Sequence, residues 1–364
     1  MNNVNQVLKV RGVSIRNRLG LAPMCQYCCE EGMANRWHEI HYGSRSLGMG
    51  LTIVEATAVS SIGKVTPEDL GLWNDKQVVG HSKIVSAIES MGSVPCIQLC
   101  HAGRKGSRTR PGEGDRPISI DEGGWGVLAP SEIPFAKGYT QPIMMQEDDI
   151  EEAISQFSHS AKLALEAGYK MIELHGGHGR LIHSFLSPIS NKRNDTWGGS
   201  FEKRLKFTKE LVKAIRLVVP DNFPLGIRLS CSDWIEGGLN ISDTVRIVQE
   251  LQKVGIDFID CTSGGITRGI NVLTSPGYQL EFSKEIRDKT NIITFGVGLI
   301  EDSSLVNSAI NDGLCDLVLI GRASLRNSNF AVDVISELTG SAPPEQYRKA
   351  YYHYYKNEEF IPEL

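Results

Sequence analysis

The sequence predicts an α/β protein folded as a single (β/α)₈ TIM barrel, on three observations. First, eight short apolar runs recur along the chain: RLGLAP (18–23), LTIVEA (51–56), VPCIQL (94–99), KMIELH (170–175), PLGIRLS (224–230), DFIDCTS (257–263), NIITFG (291–296) and DLVLIG (316–321). Each is compact and apolar, as strands buried on both faces of a parallel sheet must be. Second, longer amphipathic stretches separate them, so strand and helix alternate as in parallel βαβ units. Third, no G-x-G-x-x-G follows any strand and there is no Walker A motif, which weighs against an open, doubly wound sheet.

Helix signals fill the gaps. Residues 148–168 open with acids and end at Gly168, a good C-terminal stop. Residues 200–220 start at Ser200, a candidate N-cap, and end at Pro220; 242–255 again run from Ser to Gly. Comparable stretches lie at 76–91, 279–289, 302–312 and 327–338. Two regions break the pattern. Residues 106–146, rich in Gly, Pro and charge, form an extended loop after strand three, where barrels cover their sites. The tail 340–364 carries Tyr347, Tyr351, Tyr352, Tyr354, Tyr355 and Phe360, and is expected to wrap its own barrel or dock on another subunit. The whole, residues 1–364, reads as one domain: one barrel of about 250 residues plus insertions accounts for the 364 present.

Composition excludes several classes. Hydrophobic residues are 41% and charged residues 22%, ordinary for a globular chain with a core. A net charge of -5 leaves no electrostatic footprint for nucleic acid. No run approaches the roughly 18 apolar residues that span a bilayer, and MNNVNQVLKVRGV lacks the apolar centre of a signal peptide. A cytoplasmic location is expected, without membrane contact. Eight Cys in such a chain do not suggest disulfides. Cys96, Cys100, Cys231, Cys261 and Cys315 lie in or beside apolar runs and read as small core residues.

Catalytic groups of a barrel sit at the C-terminal strand ends. Those ends present Pro23, Met24, Cys25 and Tyr27; Glu55, Ala56 and Thr57; Gln98, His101, Arg104 and Lys105; His175, His178 and Arg180; Arg228; Ser263, Gly264 and Gly265; Gly296, Val297 and Gly298; Gly321 and Arg322. Gly-rich turns after strands seven and eight suit a phosphate, and Arg322 adds a charged fork. Arg228 would face the centre, where a fixed positive charge stabilises an anionic ring, although alone it could belong to a structural ion pair. Gln98 offers donors and an acceptor to the edge of a uracil-like ring. Together these describe a site for flavin mononucleotide, FMN.

At these residues the chain resembles the Old Yellow Enzyme family of FMN-dependent oxidoreductases. The resemblance rests on NRLGLAPMCQY (17–27), VEATAV (54–59), IQLCHAGRK (97–105), IELHGGHGRLIHSFLSPISNKRNDTWGGS (172–200), DCTSGG (260–265) and LIGRASL (319–325), and the start of the first looks like the thermophilic-like bacterial subgroup. It implies that Pro23, Met24, Ala56, Gln98, Arg228, Gly298, Gly321 and Arg322 hold FMN, alongside the turn Gly296–Val297–Gly298. Cys25 would tune the flavin. His175 and His178 would bind the activating oxygen of a small-molecule substrate, helped by Tyr27. NADPH or NADH would be the reductant. A C-terminal cation, Arg348 or Lys349, would lie near a neighbouring subunit's site in a homo-oligomer.

His175-x-x-His178 and Cys25-x-x-Cys28-Cys29 are the candidate metal ligands. A structural zinc site usually needs a second complete ligand pair, no other C-x-x-C exists, and no metal is expected. Larger relatives carry a four-Cys iron–sulfur cluster after the barrel; here the last Cys is Cys315.

One departure matters. The family's H-x-x-H-G-Y-L reads H-x-x-H-G-R-L here, so Arg180 stands where a proton-donating Tyr is usual. Guanidinium does not give up its proton at physiological pH. Trp197 replaces another usual Tyr, with packing consequences expected. Three functional readings remain open. The first is hydride transfer from NAD(P)H to a carbonyl-conjugated C=C bond. The second is a specialised FMN-dependent reductase or dehydrogenase for an anionic substrate bound by Arg180. The third is a non-redox barrel such as a phosphate-binding lyase or metal hydrolase.

Overall fold

The computed structural model describes residues 3–340 and shows a closed barrel of eight parallel strands. In chain order these are β1 (Leu19–Leu21), β2 (Leu51–Ala58), β3 (Val94–Cys100), β4 (Met171–Gly176), β5 (Leu225–Ser230), β6 (Phe258–Thr262), β7 (Ile293–Gly296) and β8 (Leu317–Ile320). Each pairs with the next, and β8 closes on β1 through Val318↔Leu19, Leu319↔Gly20 and Ile320↔Leu21. All eight apolar runs are these strands.

The helices are α1 (Arg36–Ser46), α2 (Asp75–Ser90), α3 (Glu147–Ala167), α4 (Leu181–Leu186), α5 (Phe201–Arg216), α6 (Ile241–Gln252), α7 (Leu280–Thr290), α8 (Ser303–Asn311), α9 (Arg322–Arg326) and α10 (Phe330–Thr339). Ser200 caps α5 by accepting from Lys203 N, and Gly168 ends α3 in the left-handed region, as their sequences imply. Helix α5 stops at Arg216, four residues before Pro220. Helix α1 was not legible: RWHEIHYGSRS has a weak apolar stripe and an internal Gly43. Its stability comes from the Asn35 cap and from burying His38, His41 and Tyr42.

The barrel interior is stratified. Its lower half is apolar, with Leu51, Ile53, Cys96, Met171, Phe258, Phe295, Leu317 and Leu319 in one cluster. Phe258 and Phe295 stack with ring centres 4.6 Å apart. That stack needs Gly226, because a β-carbon there would come within 2.2 Å of the Phe258 ring. Each buried Phe contributes about 1.5–3 kcal/mol. A hairpin of Leu8–Val10 and Val13–Ile15 closes the lower end, adding Leu8, Val10 and Ile15 to the cluster. Gly12 N bonds Asn222 O, and Arg11 pairs with Asp257, both just before strands begin. The plug thus leaves the C-terminal mouth open.

The five core cysteines are buried, and all eight cysteines are free thiols. The extended loop 106–146 contains a small parallel pair, Leu128–Ala129 with Ile143–Met144. Trp197 does more than pack: its indole N–H donates to Glu147 Oε2 at 2.5 Å, tying the segment before α5 to the start of α3. Arg348, Lys349 and the aromatic tail lie outside the described residues. Among the described residues no helix is long and apolar enough to cross a membrane.

Candidate functional site

Above the apolar layers the interior turns polar. Gln98, Glu173, Arg228 and Asp260 come from the four consecutive strands β3 to β6 and are all buried. Gln98 Nε2 donates to Glu173 Oε1 at 2.6 Å, and Arg228 Nε lies 3.0 Å from Asp260 Oδ2. Burial pushes both carboxyls up, and Arg228 pulls both back. One guanidinium neutralises one carboxylate. Asp260 is the one in contact with it, so the Glu173 carboxyl stays raised above the ordinary carboxylate range. Arg228 is therefore an ion-pair member and a mouth-facing cation at once. Gln98 spends part of its amide on Glu173, so less of its edge is free than the sequence implied.

His175 closes β4, in register with Arg228. His178 follows in a turn, with φ +53, a conformation costly for a residue with a β-carbon. Three bonds hold it there. Its N–H donates to Ser230 Oγ at 2.9 Å, its carbonyl accepts from Lys105 Nζ at 2.9 Å, and its Nε2 lies 2.9 Å from Thr262 Oγ1. Ser230 Oγ donates in turn to Gly264 O at 2.8 Å.

The turns after β4 and β6 meet backbone to backbone. A β-carbon on Gly265 would sit 2.7 Å from His178 Cα, and one on Gly179 would sit 2.3 Å from Gly265 O. Both glycines also have positive φ. Gly265→Ala is therefore expected to displace the His178 turn and lower kcat/KM by about 100-fold, the cost of shifting a site residue by about 1 Å. Far-UV circular dichroism should be unchanged. Activity within twofold of the parent would refute the packing argument.

The His175 and His178 rings lie edge to face, with centres 5.2 Å apart at 83°. Burial holds both imidazoles well below their ordinary pKa. His178 and Arg180 depress His175 further; Arg228 and Lys105 do the same for His178. Both are neutral at pH 7. Gly177 N–H approaches His175 Nδ1 at 3.4 Å, leaving the proton on Nε2.

Across the mouth, the loop after β1 presents Cys25 and Tyr27. Burial, Glu55 and Asp69 push the Cys25 thiol up. The neighbouring Cys25, then burial, push the Tyr27 phenol up. Both stay protonated at neutral pH. Cys28 and Cys29 turn away, their sulfurs 3.8 and 3.5 Å from His38 Nε2. Arg180 lies between the two halves of the mouth. Its charge is felt by Cys25, Tyr27, His175 and His178. Among the described residues its side chain makes no hydrogen bond or ion pair, and its Nε and Nη1 are shut off from water.

On the far side of the mouth, a cleft of about 200 Å³ is lined by Arg228, Thr262, Val297, Gly298, Gly321 and Arg322, among others. Gly298 has φ +136. A β-carbon on Gly321 would meet only Met24 Sδ, at 3.8 Å, so the open space between them is kept by the missing side chain. Exposed Arg322 has no carboxylate partner among the described residues, because neighbouring Glu301 pairs with Arg326. An unneutralised cation beside bare backbone suits a phosphate, and Arg228 extends the positive charge toward the centre. The residues present fit FMN. Gly296 does not line this cleft; its Cα faces Leu280 and Cys315 under α7. Ala56, in register with Gln98, and Pro23, next to Met24, border the same mouth.

The strand ends thus define a flavin-binding oxidoreductase barrel. The chain belongs to the NADH:flavin oxidoreductase / NADH oxidase family, whose model matches residues 6–340; this is the Old Yellow Enzyme resemblance of the sequence motifs. It is 39% identical over 347 residues to an NADPH dehydrogenase of Bacillus velezensis, covering 94% of this chain and 97% of that protein. It is 37% identical over 349 residues to an NADPH dehydrogenase of Bacillus subtilis, covering 94% and 98%. Its fold is similar to that of morphinone reductase, with a TM-score of 0.77 at 24% identity over 94% of this chain and 91% of that one. The protein is an FMN-dependent NAD(P)H oxidoreductase.

The sequence placed Lys105 at a strand end without a role, and did not single out Glu173, Ser230, Thr262 or Asp260. The bonds of Lys105 and Thr262 to His178 join elements that are 73 and 84 residues apart.

Proposed function

We propose that this oxidoreductase reduces a carbon–carbon double bond conjugated to a carbonyl. The observation that supports it best is the neutral His175/His178 pair beside a site that fits FMN. Hydride addition at the β-carbon builds negative charge on the activating oxygen, and preorganised donors stabilise that charge. The Thr262 hydroxyl has one proton and two acceptors in reach, His178 Nε2 at 2.9 Å and Gln279 Oε1 at 3.3 Å. Ser263 already supplies Gln279 Oε1 at 2.7 Å. With the Thr262 proton on Nε2, His178 keeps Nδ1–H as its free donor, beside Nε2–H of His175. The substrate oxygen would bind these two groups.

Pro23, Met24, Ala56, Gln98, Arg228, Gly298, Gly321 and Arg322 would hold the flavin. The redox chemistry itself, hydride uptake from NAD(P)H and its delivery, is supplied by FMN when bound. Cys25 and Tyr27 present protonated groups to the same space.

Anaerobic reduction of the holoenzyme with NADPH or NADH, followed by 2-cyclohexen-1-one, tests this. Return of the oxidised flavin spectrum with formation of cyclohexanone is expected. A reduced enzyme that no activated alkene reoxidises would overturn the proposal.

A further inference from the structure

We infer that Arg180 is a carboxylate-binding subsite, and that the substrates of this enzyme are activated alkenes that also carry a carboxylate. The inference rests on the alkene-reduction reading for the reaction, but not for the binding. Its starting point is a contrast among the arginines. Arg104 donates to the carbonyls of Ile133, Pro134 and Ile266. Arg108 pairs with Asp115, Arg193 with Asp195, and Arg228 with Asp260. Arg180 alone of these has no acceptor among the described residues, although its Nε and Nη1 are closed to solvent.

A guanidinium with two nitrogens closed to solvent and no acceptor is unfavourable, and none of the described residues supplies one. The carboxylate nearest in influence, Asp69, is occupied. It accepts from Val65 N at 2.7 Å, Thr66 Oγ1 at 2.8 Å and Thr66 N at 3.3 Å, and forms no ion pair with Arg180. Lys105, the other cation here, is committed to the His178 carbonyl and stands over the Phe135 ring at 4.1 Å. Of these two cations, Arg180 is the uncommitted one among the described residues.

Its position suits a substrate rather than a structural ion. Arg180 is the N-cap residue of α4, two residues after His178, and its backbone N–H is fixed to Gly177 O at 3.1 Å. Its charge reaches both histidines on one side and Cys25 and Tyr27 on the other. A molecule whose carbonyl meets the histidines would place a second substituent before the guanidinium. The planar fork of N–H donors matches a carboxylate in two-point contact.

The test uses oxidised holoenzyme titrated with 4-oxocyclohex-2-ene-1-carboxylate and with its methyl ester, followed by the flavin absorbance change, with no turnover required. The acid should bind roughly 10- to 100-fold more tightly than the ester, the range for a charge-assisted contact. In Arg180→Gln that ratio should collapse toward one. Arg180→Lys, which keeps the charge and loses the fork, should retain part of it. FMN content of each variant shows whether the site is intact. Equal affinities for acid and ester in the parent would overturn the inference. So would an unchanged ratio in Arg180→Gln, or a variant whose only change is a weaker KM for NADPH relative to NADH. If the acid is preferred but neither compound is reduced, the carboxylate site stands and the alkene-reduction reading fails. If both are reduced without preference, the reverse holds.

Discussion

His175→Ala is expected to lower kcat/KM for cyclohexenone reduction by about 10²–10³, the usual cost of one donor to a developing oxyanion. His178→Ala should cost a similar factor. The double variant should fall well short of the product, because two donors to one oxygen act as a unit. NADPH should still reduce the bound flavin, since neither ring lines the cleft assigned to the phosphate. The pH dependence sharpens the test. Both imidazoles are held well below their ordinary value, by burial first and then by neighbouring positive groups. The folded protein therefore refuses protons that the unfolded chain accepts below about pH 6.5. Stability from these groups is complete above that pH and is lost as pH falls toward their lowered folded values. Activity should show no step near pH 6.5. An activity step at that pH, abolished in His175→Ala, would mean the histidine titrates normally and is not a neutral donor.

The parts of this site differ in how far they could be read from sequence. The eight strands were legible because a strand buried on both faces is continuously apolar, and no other element has that length and pattern. His175 and His178 were legible because they directly end a strand, and strand ends in a barrel share one face. What joins them was not legible. Lys105 and Thr262 hold His178 from β3 and β6, and only closure of the sheet brings these strands near the turn. Glu173 lies within the apolar run KMIELH, which carries no sign of its partners. Its raised carboxyl reflects burial and a partner imbalance, two carboxyls to one Arg228, that appears only in three dimensions. Arg180 shows both limits. Its identity was conspicuous against the H-x-x-H-G-Y-L pattern, yet its lack of any acceptor depends on every side chain around it.

The second large effect concerns what keeps the His178 turn in place. Asp233→Ala should destabilise the protein by about 3–5 kcal/mol, because it leaves three buried donors, His183 Nε2–H, the Ser187 hydroxyl and the Leu239 N–H, without their acceptor. Asp233 and His183 are both fully buried, with Oδ1 and Nε2 2.9 Å apart. Burial alone would raise the Asp233 carboxyl. The His183 imidazole, the Ser187 hydroxyl at 2.7 Å and the Leu239 N–H at 2.8 Å outweigh it, and the net shift is downward. His183 Nδ1 accepts from Gly179 N–H at 2.9 Å, so its Nε2 carries the proton toward Asp233. The chain of contacts therefore runs from the loop after β5, through α4, to the turn that presents His178 and Arg180. At about 2.1 cal/mol/K per residue over 364 residues, the loss corresponds to a fall in Tm of roughly 4–7 °C. Asp233→Asn should lose less, because an amide oxygen can still accept from His183 Nε2–H. The sign with pH is fixed by the downward shift. The stabilisation from ionised Asp233 is present above the ordinary Asp value of about 3.9 and disappears as pH falls through the lower folded value. Thermal melts at pH 7 check the magnitude, and the same melts carried below pH 4 should show the parent converging on Asp233→Asn. If Asp233→Ala melts within 1 °C of the parent at pH 7, the pair does not anchor the turn, and His178 must owe its geometry to Lys105, Ser230 and Thr262 alone.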